Sequence, residues 1–131
     1  LANPDDHEIM DVTLSKEPLG PLVRHGDNQW KDIVTWTLYG LIAGEEFGVT
    51  SQNVDEFLTT ENPEIKRLLG VEGDLGTGAG INNDFAYQAL KQVGNYGEIY
   101  DRHLAVEPFN LARAQNALYV DGGLMYSPPF R

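Results

Sequence analysis

Hydrophobic and polar positions along this chain change period near residue 27. Residues 8–14 alternate, with Met10, Val12 and Leu14 on one side and Glu8, Asp11 and Thr13 mostly on the other, which predicts a strand. Glu17-Pro18 and Gly20-Pro21 break that alternation, Leu22-Val23-Arg24 form a second short extended piece, and His25-Gly26 turn the chain. Asp27 then has the character of an N-cap, because its carboxylate accepts a backbone N–H at a helix start. From there Trp30, Ile33, Val34, Leu38, Leu41 and Ile42 recur at helical spacing, with Gly44 as the expected stop. On that helix Trp30 belongs with the apolar stripe, and Trp36, six residues on, points to a second surface.

Everything downstream reads as helices between glycine-rich or polar turns. Thr50 or Ser51 caps a helix carrying Val54, Phe57 and Leu58. Asn62-Pro63-Glu64 combines an N-cap, proline at the first helical position and an acid in the first turn, and Gly70 closes that helix. Asn82 or Asn83 opens another, with Phe85, Ala86, Ala89, Leu90 and Val93 on its apolar side and Gly94 at its end. Asn95 restarts the chain through Tyr96, Ile99, Tyr100 and Leu104. A weaker helix is expected over Leu111 to Tyr119, and turn and coil over Gly122 to Arg131. Two strands with no others to pair with are marginal in water, so the pattern implies that this chain is part of something larger.

With 131 residues, 41% of them hydrophobic and 22% charged, the composition is that of one globular domain. The run Ile33–Ala43, broken by Thr35, Thr37 and Gly40, falls short of the ~20 apolar residues a membrane span needs and reads as a buried helix. A net charge of −11, with basic residues scattered singly apart from Lys66-Arg67, argues against nucleic acid and anionic membranes as partners. The absence of cysteine excludes disulfides, thiolate zinc sites and cysteine nucleophiles. Leu1 to Asp6 show neither a basic start nor an apolar h-region, so no signal peptide is expected within this chain.

Candidate chemistry is sparse. Gly73-Asp74-Leu75-Gly76-Thr77-Gly78-Ala79-Gly80 invites a phosphate cradle, but neither G-x-G-x-x-G nor G-K-[ST] is present, and Glu72, Asp74 and Asp84 surround it with negative charge. It reads as a turn-rich connector. A calcium loop from Asp74, Asn82, Asn83 and Asp84 lacks the alternating oxygens of an EF-hand. His7, His25 and His103 have no partner at metal-ligand spacing, and Ser15, Ser51 and Ser127 lie outside any nucleophile elbow. No catalytic residue, metal or cofactor is expected.

The stretch Ser15-Lys16-Glu17-Pro18-Leu19-Gly20-Pro21-Leu22-Val23-Arg24-His25-Gly26-Asp27, running on into the Trp30–Val34 helix, resembles a segment of periplasmic amino-acid-binding proteins. That segment has the general form E-P-x-G, two or three apolar residues, K/R, x, G-D. Val93-Gly94-Asn95-Tyr96-Gly97-Glu98-Ile99-Tyr100 is similar to the family's late G-x-Y-x-x-I/L-Y-x-K turn and helix. The glycine loop, Asn82 to Tyr87 and the ending Gly122 to Arg131 resemble its general L-amino-acid-binding branch.

The resemblance implies an α/β class: the C-terminal part of a two-lobe, type II periplasmic-binding-protein-like fold, this portion mostly helical with two or so strands. Residues 1–16 would end the second lobe, 17–25 form an inter-lobe crossing strand, and 26–131 the C-terminal part of the first lobe with an extended helical tail. It further implies a periplasmic solute-binding component of an ABC importer for polar L-amino acids such as glutamate or glutamine. The implied partners are the amino acid, the missing N-terminal portion of the same receptor and a membrane permease. The family's principal ligand groups fall upstream of Leu1, which leaves Glu17 and Leu19 as expected ligand-binding positions at a cleft edge or hinge; the alternative is that Glu17-Pro18 only shapes the crossover. Two other classes stay open at this point: an enzyme on the same fold, dehydratase-like, and a stand-alone helical interaction domain without ligand binding.

Overall fold

The structure, a computed structural model, describes residues 2–8, 10, 12, 14, 15 and 17–131. It is built around one long helix, α1 (Asn28–Glu46), whose start is fixed as the sequence predicts: the Asp27 carboxylate accepts the Trp30 N–H at 3.0 Å. The helix does not stop at Gly44. It continues to Glu46, and the left-handed residue that ends it is Gly48, at φ +68°. Gly44 serves packing instead. A methyl group there would overlap the buried Leu90 side chain, and one on Gly40 would lie 3.0 Å from the Ala86 Cβ. These two glycines let α4 (Phe85–Val93) close on α1.

α2 (Pro63–Leu68) is capped by Asn62, which accepts from the N–H groups of Glu64 and Ile65 at 2.9 and 3.5 Å, and it ends before Gly70 at φ +71°. The glycine loop is a correction to the connector reading. Residues Leu75–Ala79 coil into a short helix, α3, and the Asn83 carboxamide accepts the Thr77 N–H at 2.9 Å. Asn83 therefore braces α3, and Asp84 occupies the N-cap position of α4. α5 (Tyr96–His103) starts with a full capping box between Asn95 and Glu98.

Two expected helices shorten. Over 50–60 the chain makes a turn in which Thr50 and Asn53 cap each other, followed by a 3-10 turn at Glu56–Thr59. Over 111–119 it makes 3-10 turns at Ala114–Asn116 and Tyr119–Asp121, since polar residues and tertiary contacts compete there with a weak apolar period.

The expected strands also need correction. Among the described residues the structure contains no strand, only an isolated bridge between Leu118 and Met125. The alternation over 8–14 rests in part on Ile9, Asp11 and Thr13, which lie outside the described residues. Leu22–Arg24 is described, and it is irregular because no neighbouring strand is present to exchange ladder hydrogen bonds.

The core forms around the C-terminal half of α1. Ala43, Val49, Val54, Ile65, Leu68, Leu69, Ala86 and Leu90 are buried together with Phe130 from the tail. The two tryptophans exchange the roles the pattern assigns them: Trp36 packs on this core, and Trp30 is 52% exposed. The cause is Phe130, whose ring meets Trp36 edge-on at 5.2 Å and stacks with Phe85 at 6.5 Å. No described helix is long and apolar enough to cross a membrane.

Candidate functional site at the entry to the long helix

Residues 17–31 are the segment that the sequence marks for function. Glu17 is exposed and accepts a hydrogen bond from the Ser15 hydroxyl at 3.0 Å; Leu19 is 98% exposed. Among the described residues the Ser15 hydroxyl is the one hydrogen-bond partner of the Glu17 side chain. Among the described residues no backbone–backbone hydrogen bond involves residues 17–23, and the segment is first anchored where the Arg24 carbonyl accepts the Asp27 N–H at 3.2 Å. Gly26, at φ +86°, makes the turn that follows. A hollow of about 430 Å³ opens there against Val23, Arg24, His25, Asp27 and Lys31, with three basic side chains around one carboxylate.

One turn further along α1, Ile33 and Trp36 face Leu75, Ile81 and Phe85 across a half-open apolar hollow of about 160 Å³, with Asp32 at its rim. The Gln29 carboxamide donates to the Ala79 carbonyl at 3.1 Å and ties α3 to the same face. The arrangement offers surfaces for contact and, among the described residues at this face, no pair of groups poised for proton transfer. Among the described residues, no group of three His, Asp or Glu side chains converges as a metal site would need.

Two polar networks that sequence reasoning missed hold the opposite end of α1. The Glu98 carboxylate accepts from the Asn95 N–H at 2.8 Å, from the Ser51 hydroxyl at 2.7 Å and from the Ser51 N–H at 3.0 Å, while the buried Asn95 carboxamide donates to the Val49 carbonyl at 2.9 Å. Burial pushes the Glu98 carboxyl up, but the hydrogen bonds from Asn95 and Ser51, with the charge of Arg102, outweigh it and hold the group below the usual glutamate value. The N-x-x-E spacing of Asn95 and Glu98 was the available signal for half of this network.

Arg113 pairs with Glu45 through contacts of 2.9 and 3.0 Å and lies 5.3 and 5.1 Å from the ring centroids of Tyr96 and Tyr100. Burial alone lowers the guanidinium pKa, and the Glu45 hydrogen bonds and charge reverse that, so the cation is held more firmly than usual. Nothing local in the sequence marks this pairing across 68 positions.

The described residues thus form a helical unit with an exposed entry segment. Over its whole length the chain is similar to part of the periplasmic amino-acid-binding proteins of ABC transporters. It is 54% identical to the general L-amino acid-binding periplasmic protein AapJ of Rhizobium johnstonii. It is 53% identical to the glutamate/glutamine/aspartate/asparagine-binding protein BztA of Rhodobacter capsulatus. Both matches take in 100% of this chain and 39% of the relative, so the chain spans about two fifths of the length of these relatives. A solved structure from Brucella ovis, an ABC transporter periplasmic binding protein with glutathione bound, superposes on all of this chain and 42% of its own, with a TM-score of 0.92 and 47% identity. No family model matches the chain. The fold is thus part of a periplasmic-binding-protein fold, and the relatives are binding proteins rather than enzymes.

Proposed function

We propose that this chain is the C-terminal portion of a periplasmic receptor that delivers polar L-amino acids to an ABC importer. The observation that supports it most is the match along the entire chain to two receptors named for amino-acid binding, at 54% and 53% identity. In this reading residues 1–16 close the second lobe, 17–25 cross between lobes, and 26–131 complete the first. Glu17 and Leu19 stand at the edge of the cleft. The remainder of the receptor supplies most ligand contacts, and a membrane permease accepts the cargo.

The relatives narrow the ligand by shared chemistry. BztA is named for two acidic amino acids and their amides, and the Brucella structure holds glutathione, which begins with a γ-glutamyl group bearing a free α-amino group and α-carboxylate. The common element is an amino-acid head with a short side chain that ends in a carboxylate or an amide carbonyl. Binding of this kind needs complementary donors and acceptors in a closing cleft and no chemical step.

Calorimetric titration of this chain, joined to the remainder of its receptor, with glutamate, glutamine, aspartate, asparagine and glutathione tests the proposal. Binding of at least one is expected, and binding of none would overturn it. Tight binding by the 131 residues alone would instead show that the pocket lies within this chain.

A further inference from the structure

At the end of α1 far from the entry segment, the last turn of the helix, α2 and the tail enclose an open hollow of about 310 Å³. Phe47, Pro128 and Pro129 give it apolar walls, and its charged groups are two carboxylates, Glu46 and Glu64. Among the described residues neither is in an ion pair, since the cations that pair do so with Glu61, Asp55 and Glu45. Arg67, on the same helix as Glu64, directs its Nε to the Phe130 carbonyl. Glu46 is half-buried, accepts only the Ser127 N–H at 3.2 Å among the described residues, and is held by burial above the usual glutamate value. A half-buried carboxylate on an apolar hollow without a counter-ion is stabilised by a cation brought from outside.

The hollow continues into the loop 119–126, because Tyr119 and Val120 line both. Tyr119, Val120, Leu124 and Tyr126 are 60–65% exposed, and four such side chains in one short loop make a patch of the kind that marks a contact site. The loop is firmly held. The N–H groups of Tyr119, Leu124 and Met125 donate to the carbonyls of Met125, Gln115 and Ala117 at 2.8, 2.9 and 3.1 Å, and a methyl group on Gly123 would overlap the Ala117 carbonyl. Aromatic rings presented by a fixed loop lose little freedom when a partner covers them.

We propose that this hollow and the 119–126 loop form a docking surface for a separate polypeptide that presents an arginine between apolar residues. The guanidinium meets Glu46 and Glu64, its aliphatic stem lies along Pro128 and Pro129, and the flanking apolar side chains cover the loop. Arginine suits the place better than lysine, because its planar cation is weakly hydrated and stacks on a ring such as that of Tyr119. The net charge of −11 draws a cationic partner and repels an anionic one. A free amine would satisfy the carboxylates but leave Leu124 and Tyr126 bare. The surface is separate from residues 17–25, so the proposal goes beyond the amino-acid cleft and does not depend on it.

The test uses the chain joined to the remainder of its receptor and follows backbone amide signals by NMR during titration with acetyl-Leu-Arg-Leu-amide. Two further probes are the same peptide with citrulline for arginine, which keeps the shape and removes the charge, and acetyl-arginine amide without leucines. Shifts are expected at Tyr119, Leu124 and Ser127, and the arginine peptide is expected to bind about tenfold more tightly than either other probe. Glu46→Gln, which still accepts from the Ser127 N–H, and Tyr119→Ser should each weaken the arginine peptide by about tenfold. The citrulline comparison is made on the unaltered protein, so it stands even if a variant folds poorly.

No shift with the arginine peptide, shifts confined to other regions, or equal affinity for the arginine and citrulline peptides would each overturn the proposal. Equal affinity for the peptide and acetyl-arginine amide would also overturn it, since the loop would then contribute nothing. The two proposals fail separately. A sample that binds glutamate and not the peptide removes the docking surface and keeps the receptor function. A sample that binds the peptide and no amino acid does the reverse.

Discussion

The entry segment 17–26 and the tail 117–131 are alike in chemistry and opposite in fate. Both are irregular, rich in proline and glycine, and carry large apolar side chains. The tail is fastened at several points: the Phe130 ring lies between Trp36 and Phe85, its carbonyl accepts from the Arg67 Nε at 3.0 Å, and the Ser127 N–H donates to Glu46 at 3.2 Å. The Leu118–Met125 bridge closes the loop above it. The entry segment has none of these. Irregular chain becomes ordered where it can bury a side chain and pair its backbone with structure already present, and the helices of this chain offer such a place at one end only.

The sharpest way to break the contrast is Phe130→Ala. Phe130 is 6% exposed and packs against two aromatic rings of the core, so its truncation is expected to destabilise the chain by about 3–5 kcal/mol, read from denaturant or thermal unfolding. A loss no larger than that of an exposed leucine would mean that the tail only rests on the surface. Arg67→Met comes next. It keeps the aliphatic stem and removes the donor to the Phe130 carbonyl, with an expected cost of about 1 kcal/mol in the same assay.

Acidity separates the tail's tether from the Glu98 network near the same end of α1. Burial raises the Glu46 pKa, the Ser127 N–H lowers it, and the charge of Glu45 raises it again, for a net rise. Its contribution to stability is thus fully present below the ordinary glutamate value, about 4.3, and is lost as pH rises through the elevated one. Glu98 is depressed, so its contribution is present above the ordinary value and is lost as pH falls through the folded one. In unfolding series across pH 3–7, Glu46→Gln is expected to remove the decline on the alkaline side and Glu98→Gln the decline on the acid side. Profiles that superpose on the parent would show that neither group is held as the structure has it.

Much of this contrast could be read in the sequence and part could not. Caps written in a few adjacent residues were legible: Asp27 before Trp30, Asn62-Pro63, Gly70, Gly94 and Asn95 all stand where the helices begin or end. What distant residues decide was not. The exchange of roles between Trp30 and Trp36 depends on Phe130, roughly a hundred positions away, and the packing role of Gly44 depends on Leu90. The glycine loop coils because Asn83 reaches back to Thr77. For the candidate site, the sequence marked the segment around Glu17 and Leu19 but held no sign that Trp30 beside it would be 52% exposed, since a helical period shows which residues are apolar and not which of them this chain covers.

The smallest expected effect is the most informative about the entry segment. Leu22→Ser and Leu19→Ser, at positions 99% and 98% exposed, should change the stability of the 131-residue chain by no more than about 0.5 kcal/mol, because nothing is uncovered when an exposed side chain is shortened. Joined to the remainder of the receptor, the same substitutions should cost a kilocalorie or more, of the order expected when a leucine leaves an apolar contact. The difference between the two settings measures how much of the entry segment's role is deferred to residues outside this chain. Equal effects in both would place Leu19 and Leu22 in water throughout, and the contrast with Phe130 would then describe a loose end and a fixed one rather than an unfilled interface and a filled one.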